Sequence, residues 1–268
     1  MMDDFTLITH HFDDTIHVIP IADVHLGALE HDSKAWEEFL QKTVASPNTY
    51  VILLGDLLNN SVRGSSFANP FDEVLRPMEA KKMMVEYLKP LAEAGKVLAC
   101  VSGNHEYRTE LAADQNPSYD ICAKLNIEHL YRPNMAFVKI GIGHRGKDPR
   151  PSVSYTLACI HGNAGGALTG GVLNRNERSA SYISGADVFL VGHSHKGILT
   201  RPKQIVIDPH NNRVTLQSYL VASAESWLDF GGYAARKMLT PAEHGNPFVL
   251  TLNNSTRKGL DKRVEVTW

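Results

Sequence analysis

Five short apolar runs along this chain each stop abruptly at polar residues able to bind a metal. They are IHVIPIADVH (16–25), YVILLGDLLNN (50–60), KVLACVSGNHE (96–106), YTLACIHGN (155–163) and VFLVGHSH (188–195). Each run is short and rich in Val, Ile and Leu, which suits a strand buried on both faces. Helical spacing appears between them. Residues 33–45 place Trp36, Phe39, Leu40 and Val44 along one stripe. Residues 77–94 open on Pro77, stop before Gly95 and contain Pro90, which is expected to kink or shorten the helix. Residues 117–125 predict a third helix, again opening on a proline.

Strands alternating with helices predict an α/β fold with a largely parallel sheet. Ligands of such sheets sit outside the carboxyl ends of the strands. Every polar motif here lies at such an end, so five strands can deliver their motifs to one crevice. Beyond residue 200, KQIVIDPHNNRVTLQSYL and PFVLTLNN predict a hairpin turning at Asn211-Asn212 and further strands. We read these as a second sheet packed on the first, making residues 1–268 a single domain with no linker or internal repeat.

Composition changes this picture little. Hydrophobic residues are 43% and charged residues 21% of the 268, ordinary for a globular chain with a real core. The net charge of -2 gives no global case for a polyanion partner, though a local basic groove stays open. Cys100, Cys122 and Cys159 are odd in number and unclustered, which argues against a disulfide framework. The acidic N-terminal stretch resembles no secretory signal, and no apolar run approaches the roughly 20 residues that span a bilayer. The expectation is a cytoplasmic protein without a membrane partner.

The chemistry lies in the histidines, 13 in all, five of them at the strand ends. Asp23 and His25 are two apart, so on an extended strand both point to one side; His193 and His195 repeat that spacing. Asp56 follows Gly55, Asn104 and His105 follow Gly103, and His161 precedes Gly162. Taken singly, each motif is common: a lone Gly-Asn-His is usually a turn, and a lone buried histidine usually hydrogen-bonds in a core. Five in order, each after a buried run, are hard to assign to chance. Carboxylates, imidazoles and one amide suit borderline divalent metals, and the absence of thiolate disfavours a structural zinc site. Seven ligands are too many for one ion and fit two metals bridged by one carboxylate.

The order Asp23-Val-His25, Gly55-Asp56, Gly103-Asn104-His105-Glu106, His161-Gly162, Gly192-His193-Ser194-His195 resembles the calcineurin-like metallophosphoesterase superfamily. The resemblance implies a four-layer αββα sandwich, two mixed β-sheets flanked by helices. It assigns Asp23, His25 and His195 to one metal, Asn104, His161 and His193 to the other, and Asp56 to both. It places His105 beside the metals, touching the substrate phosphate or protonating the leaving oxygen. Two divalent ions are implied, manganese favoured, with iron, zinc or nickel as alternatives. Water activated by the metals is the implied nucleophile. One position departs: where the family has Gly-Asp-x-x-Asp, this chain ends in Asn59, losing a supporting charge.

The tract Asp23-Val-His25-Leu26-Gly27 is similar to the nuclease branch and to some diphosphate hydrolases. The protein Ser/Thr phosphatase branch is disfavoured, because Asn59-Asn60-Ser61 stands where its Asp-Arg-Gly extension belongs and Ser102 where its Arg belongs. Loops 61–76, 141–152 and 163–178 are expected to shape the pocket. Arg63, Tyr107, Arg108, Arg145, Arg175 and Arg178 are candidates for phosphate or base contacts, each weighed against ordinary solvated loop charge. His31, His129, His144, His210 and His244 read as surface or structural. The favoured function is a phosphodiesterase acting on DNA, RNA or a nucleotide. The alternatives are a phosphomonoesterase and a metal-binding scaffold without turnover. Oligomeric state stays open.

Overall fold

All five motif strands form where the apolar runs stand. In the computed structural model, which describes residues 5–62, 73–144, 153–163, 168–254 and 264–268, they are β2 (Ile16–Ile21), β3 (Thr49–Leu53), β4 (Val97–Val101), β7 (Val153–Ile160) and β8 (Val188–Val191). The residues of β2, β3, β4 and β8 are almost entirely buried, which is why those runs are continuous rather than alternating, while β7 has half-buried positions among buried ones.

They do not share one sheet. One six-stranded sheet has the order β14-β13-β2-β3-β4-β5, where β5 is Tyr131–Arg132, β13 is Val249–Leu252 and β14 is Val264–Thr267. The other has the order β1-β6-β7-β8-β12-β9, where β1 is Leu7–Phe12, β6 is Met135–Ile142, β9 is Ile198–Thr200 and β12 is Leu220–Ser223. Both are mixed. β2 to β5 run parallel while β13 is antiparallel to β2. β7, β8 and β12 run parallel, β6 is antiparallel to β7 but parallel to β1, and β9 is antiparallel to β12. The expectation of one largely parallel sheet with the later strands forming a second therefore fails in detail. Strands from beyond residue 200 complete both sheets instead. The predicted hairpin, β10 (Lys203–Asp208) with β11 (Arg213–Ser218), stands as a separate two-stranded ribbon.

The sheets face one another and bury a common core through β4 against β1 and β6. Helices α1 (Ser33–Ala45), α2 (Pro77–Glu93) and α4 (Pro117–Lys124) form a layer over the β2–β5 sheet. On the other sheet, α5 (Thr169–Asn176) packs against β12. This is the four-layer α/β arrangement. The Asp32 side chain caps α1 by accepting from the Ala35 N–H at 3.0 Å, and Trp36 and Phe39 close onto Trp227 with ring centroids 4.9 Å from it. Pro90 does not end α2, which continues to Glu93. Near a C-terminus the ring costs one hydrogen bond in a turn that is already fraying. Helix α3 (Asn104–Ala113), which the hydrophobic pattern did not reveal, begins directly on the Gly-Asn-His motif.

Candidate metal centre

Each strand ends one to three residues before its polar motif, and β2 and β8 end two residues before theirs, so strand alternation is not what aims Asp23 with His25 or His193 with His195. The backbone turns left-handed instead. Asp23, His25, Asp56, His193 and His195 all have φ between 48° and 66°. A residue other than glycine in that region costs on the order of 1–3 kcal/mol and persists only where its surroundings over-determine it. Five instances in one place mark a site where side-chain direction outweighs backbone comfort. The loops brace one another: the Asp23 N–H donates to Gly55 O at 3.1 Å and the His25 N–H to Asp56 O at 3.0 Å. Glycine is required at the closest approach, since a Cβ on Gly103 would stand 2.1 Å from Asp56 Oδ1.

The seven predicted ligands converge as two groups. In the first, His195 Nε2 lies 3.2 Å and His25 Nε2 3.7 Å from Asp23 Oδ1. The two imidazole nitrogens are themselves 3.3 Å apart. In the second, His161 Nε2 lies 3.0 Å from Asn104 Oδ1, 3.1 Å from His193 Nδ1 and 3.2 Å from Asp56 Oδ2. The same Asp56 Oδ2 lies 3.8 Å from His25 Nε2, so one carboxylate oxygen faces both groups. Its other oxygen accepts from the His105 N–H at 2.8 Å.

Divalent cations fit these residues. Asp23 Oδ1 is buried with no hydrogen-bond partner, while Oδ2 is satisfied by the His193 N–H at 2.7 Å. A native core rarely leaves a carboxylate oxygen orphaned unless something outside the protein satisfies it. The tautomer of His161 is set for the same purpose, because its Nδ1–H donates to Leu54 O at 2.7 Å and turns the Nε2 lone pair toward Asp56. His25 lacks such an anchor: its Nδ1 is buried without a partner.

Electrostatics follow from two buried carboxylates. Burial pushes Asp23 up, but the His195 and His25 imidazoles close to Oδ1 hold it well below the usual carboxylate range. Asp56 is lowered against its burial by His161 and His105. Burial alone would lower His161, yet Asp56 and Asp23 raise it to about 10. His105 moves oppositely, lowered to about 3 by burial despite the attraction of Asp56, with His25 and Arg108 adding to the fall.

His105 joins the same cluster, its Nε2 standing 3.8 Å from Asp56 Oδ2, the same distance as His25 Nε2, but its ring also has partners outside the predicted ligands. Its Nδ1–H donates to Asn59 O at 2.6 Å, and its Nε2 accepts from Arg108 Nη2 at 2.9 Å. Arg108 also donates to Asn59 O at 3.2 Å. Asn59 thus holds both groups with its backbone, while its Nδ2 donates to Glu73 Oε1 at 3.2 Å. The charge missing at position 59 is present at Glu73. Tyr107 is half exposed on α3, and Arg175 and Arg178 are exposed at and just beyond the end of α5. Arg63 and Arg145 lie outside the described residues. The stretch expected as a glycine-rich loop at 163–178 holds α5 instead.

Glu106 has a part that sequence reasoning missed. Fully buried, it accepts from the Gly103 N–H at 2.9 Å, the Asp56 N–H at 3.0 Å and the Leu58 N–H at 3.0 Å. It clamps the loop after β3 to the start of α3 and so fixes Asp56 against Asn104. The signal was available: Glu three residues after the helix-opening Gly103 is a capping pattern. Of the histidines expected to be structural, His31 donates from Nδ1 to Val24 O at 2.9 Å and steadies the loop between Asp23 and His25. No helix among the described residues is long and apolar enough to cross a membrane.

No curated protein matches the chain. The solved structure of Chaetomium thermophilum Vps29 is similar at 12% identity and a TM-score of 0.38, covering 94% of this chain and 92% of that one, a likeness that says nothing of activity. The sequence profile of calcineurin-like phosphoesterases matches residues 16–197, from the first residue of β2 to two residues past His195. That span takes in all seven converging ligands, and the chain accordingly belongs to the calcineurin-like phosphoesterase family of metal-dependent phosphoester hydrolases.

Proposed function

We propose that this protein is a binuclear phosphodiesterase acting on nucleic acid or a nucleotide. One observation carries the binuclear reading: Asp56 Oδ2 stands 3.2 Å from His161 Nε2 and 3.8 Å from His25 Nε2, common to two groups of ligands that are otherwise separate. Asp23, His25 and His195 would hold one cation, Asn104, His161 and His193 the other, and Asp56 both. When bound, two divalent cations, manganese favoured, would supply positive charge against the phosphate and would acidify a water nucleophile.

The chain's own groups do the rest. Asn104 is exposed and His195 has 39% of its side chain exposed, whereas Asp23, His25, Asp56 and His161 are buried, so substrate enters on the side of Asn104 and His195. His105 offers Nε2 and Arg108 its guanidinium on the flank of Asp56. At rest Nε2 carries a lone pair, since the ring proton is committed to Asn59 O. An anionic phosphate beside Nε2 favours the protonated ring, acting with Asp56 and against burial and Arg108. His105 therefore becomes a donor to the leaving oxygen only with substrate in place. The diester preference is supported by the Asp-x-His-Leu-Gly tract at 23–27 and by the missing protein-phosphatase features at 59–61 and 102.

The test is an assay with manganese on bis-p-nitrophenyl phosphate, p-nitrophenyl phosphate and single- and double-stranded DNA, alongside metal analysis. Diester cleavage without monoester cleavage is expected. Asp56→Ala loses metal and activity together. His105→Ala keeps both metals and loses about 10²–10⁴-fold in turnover, the usual worth of a general acid. Monoester cleavage alone, or two bound metals with no turnover on any ester, overturns the reading.

A further inference from the structure

Next to His195 lies a cavity of about 410 Å³ that the metal centre does not use. Its size falls within the range of roughly 300–1,000 Å³ typical of small-molecule sites. Lys196 and Gly197, the two residues after His195, line it, so its near wall starts at the next Cα from a metal ligand, about 3.8 Å away. Glu225, Glu243, Asn246 and Trp268 line it as well.

Trp268 is built as a wall rather than as core. Its Nε1–H donates to Glu225 Oε1 at 3.0 Å, and its ring meets Phe248 edge-on at 5.8 Å between centroids. Even so, 57% of the residue is exposed, whereas Trp36 and Trp227 are fully buried. An indole held in place with its surface left open is a stacking platform. Glu225 is the complementary feature. It is only 7% exposed; the Trp268 indole and the backbone N–H of Asn246 lie against the carboxylate, and its Oε2 makes no close hydrogen bond. Gly197 makes room for it, since a Cβ there would stand 2.6 Å from Glu225 Oε1. A buried carboxylate with an unsatisfied oxygen calls for a donor from outside. Among the described residues lining the cavity the one cation is Lys196, beside His195, where its Nζ donates to Thr240 Oγ1 at 2.6 Å. The cavity thus combines a cation next to the metal ligands with an aromatic surface and carboxylate acceptors.

We propose that this cavity holds the nucleobase adjoining the scissile phosphate, stacked on Trp268 and selected at its amino edge by Glu225 and Glu243. The proposal rests on the phosphodiesterase reading above and names its substrate more narrowly. Stacking tolerates any base, because every base has a π face. Selection comes from the carboxylates, which accept from the amino groups of adenine, cytosine and guanine but face carbonyl oxygens on uracil and thymine. A preference for amino-bearing bases of about tenfold is expected, the worth of one charge-assisted hydrogen bond.

The arrangement provides its own probe, since Trp268 is the single exposed tryptophan of three. Adenosine, cytidine, guanosine and uridine, which carry no phosphate, are titrated into the manganese-loaded protein while tryptophan emission is followed at red-edge excitation. The same nucleosides are tested as inhibitors of bis-p-nitrophenyl phosphate cleavage. Quenching by the three amino-bearing nucleosides at about tenfold lower concentration than by uridine supports the proposal. In Trp268→Phe the quenching disappears while inhibition persists; in Trp268→Leu inhibition weakens as well; in Glu225→Gln the preference over uridine shrinks. Diester cleavage with no quenching and no inhibition by any nucleoside overturns the subsite and leaves the phosphodiesterase reading intact. Selective quenching in a protein that cleaves no diester sustains the subsite and overturns that reading. Equal response to all four nucleosides overturns selection by the carboxylates.

Discussion

Asn59 shows how much a single side chain depends on a partner distant in sequence. Its Nδ2 donates to Glu73 Oε1, which also accepts from the Ser61 N–H at 2.7 Å. Asn59→Asp, which restores the family's usual residue, would set two carboxylates together where burial already pushes Glu73 up. It should lower stability by about 1–3 kcal/mol, the cost of leaving a half-buried polar group unmatched. Adding Glu73→Gln should recover most of that loss, as a double-mutant cycle by denaturant unfolding will show. Additive losses would mean that the two residues do not interact. His10 carries a second prediction at this scale. From β1 it donates through Nε2 to Leu98 O on β4 at 2.9 Å, tying one sheet to the other. Burial lowers its pKa from 6.5, with His129 adding to the fall and Leu98 opposing it. The folded protein therefore binds fewer protons at His10 than the unfolded chain. The stability this gives is complete above pH 6.5 and is lost as pH falls toward the lowered folded value. His10→Gln keeps a donor at the same reach and cannot titrate. Below pH 6.5 the midpoint of the metal-loaded variant should fall less steeply than that of the wild type; parallel slopes would remove His10 from the acid response.

Elements matter here mainly by where they stop. β2, β3, β4, β7 and β8 were legible because burial writes an apolar run, and the residues that converge in the candidate centre were legible as the polar break after each. The geometry at the break was not legible. Asp23, His25, Asp56, His193 and His195 adopt a left-handed backbone, which Asp and His tolerate better than most residues but which no sequence pattern announces, and the loops packed around them impose it. Helix α3 was missed because its buried face is nearly a single residue, Glu106, so it has no hydrophobic stripe to read. The cavity wall was missed because Glu225 and Trp268 reach His195 from 30 and 73 residues away in the chain, across both sheets. The meeting of the β3 and α3 loops gives a direct test. Gly103→Ala would drive a methyl group into Asp56, 2.1 Å from Oδ1, and should cost about 1–3 kcal/mol together with metal occupancy. Gly170→Ala in α5 meets nothing within 4 Å and should leave metal content unchanged while stabilising by about 0.5–1 kcal/mol. Full metal occupancy in Gly103→Ala would refute the tight approach.

At the scale of the whole molecule, the centre is a joint between two sheets. Asp23, His25, Asp56 and Asn104 follow β2, β3 and β4 of one sheet; His161, His193 and His195 follow β7 and β8 of the other. No ligand group is confined to one side: the first takes His195 across, and the second takes Asn104 and Asp56 across. Cations held there would pull the two sheets together and offset the backbone strain at five ligands. A ligand at 100 times its dissociation constant adds about 2.7 kcal/mol of stability, so two such sites add about 5 kcal/mol. A chain of this size shifts by roughly 2–4 °C for each kcal/mol. Chelation should thus lower the thermal midpoint by about 10–20 °C, and manganese should restore it in proportion to occupancy. The loss should also be local. Hydrogen exchange should speed up in the loops at 22–26, 55–60 and 192–196 while the centres of β2 and β3, buried under α1 and α2, stay protected. A midpoint unmoved after verified metal removal would mean that the sheets are joined by their apolar core alone, and that the strain at the ligands is balanced by the protein itself.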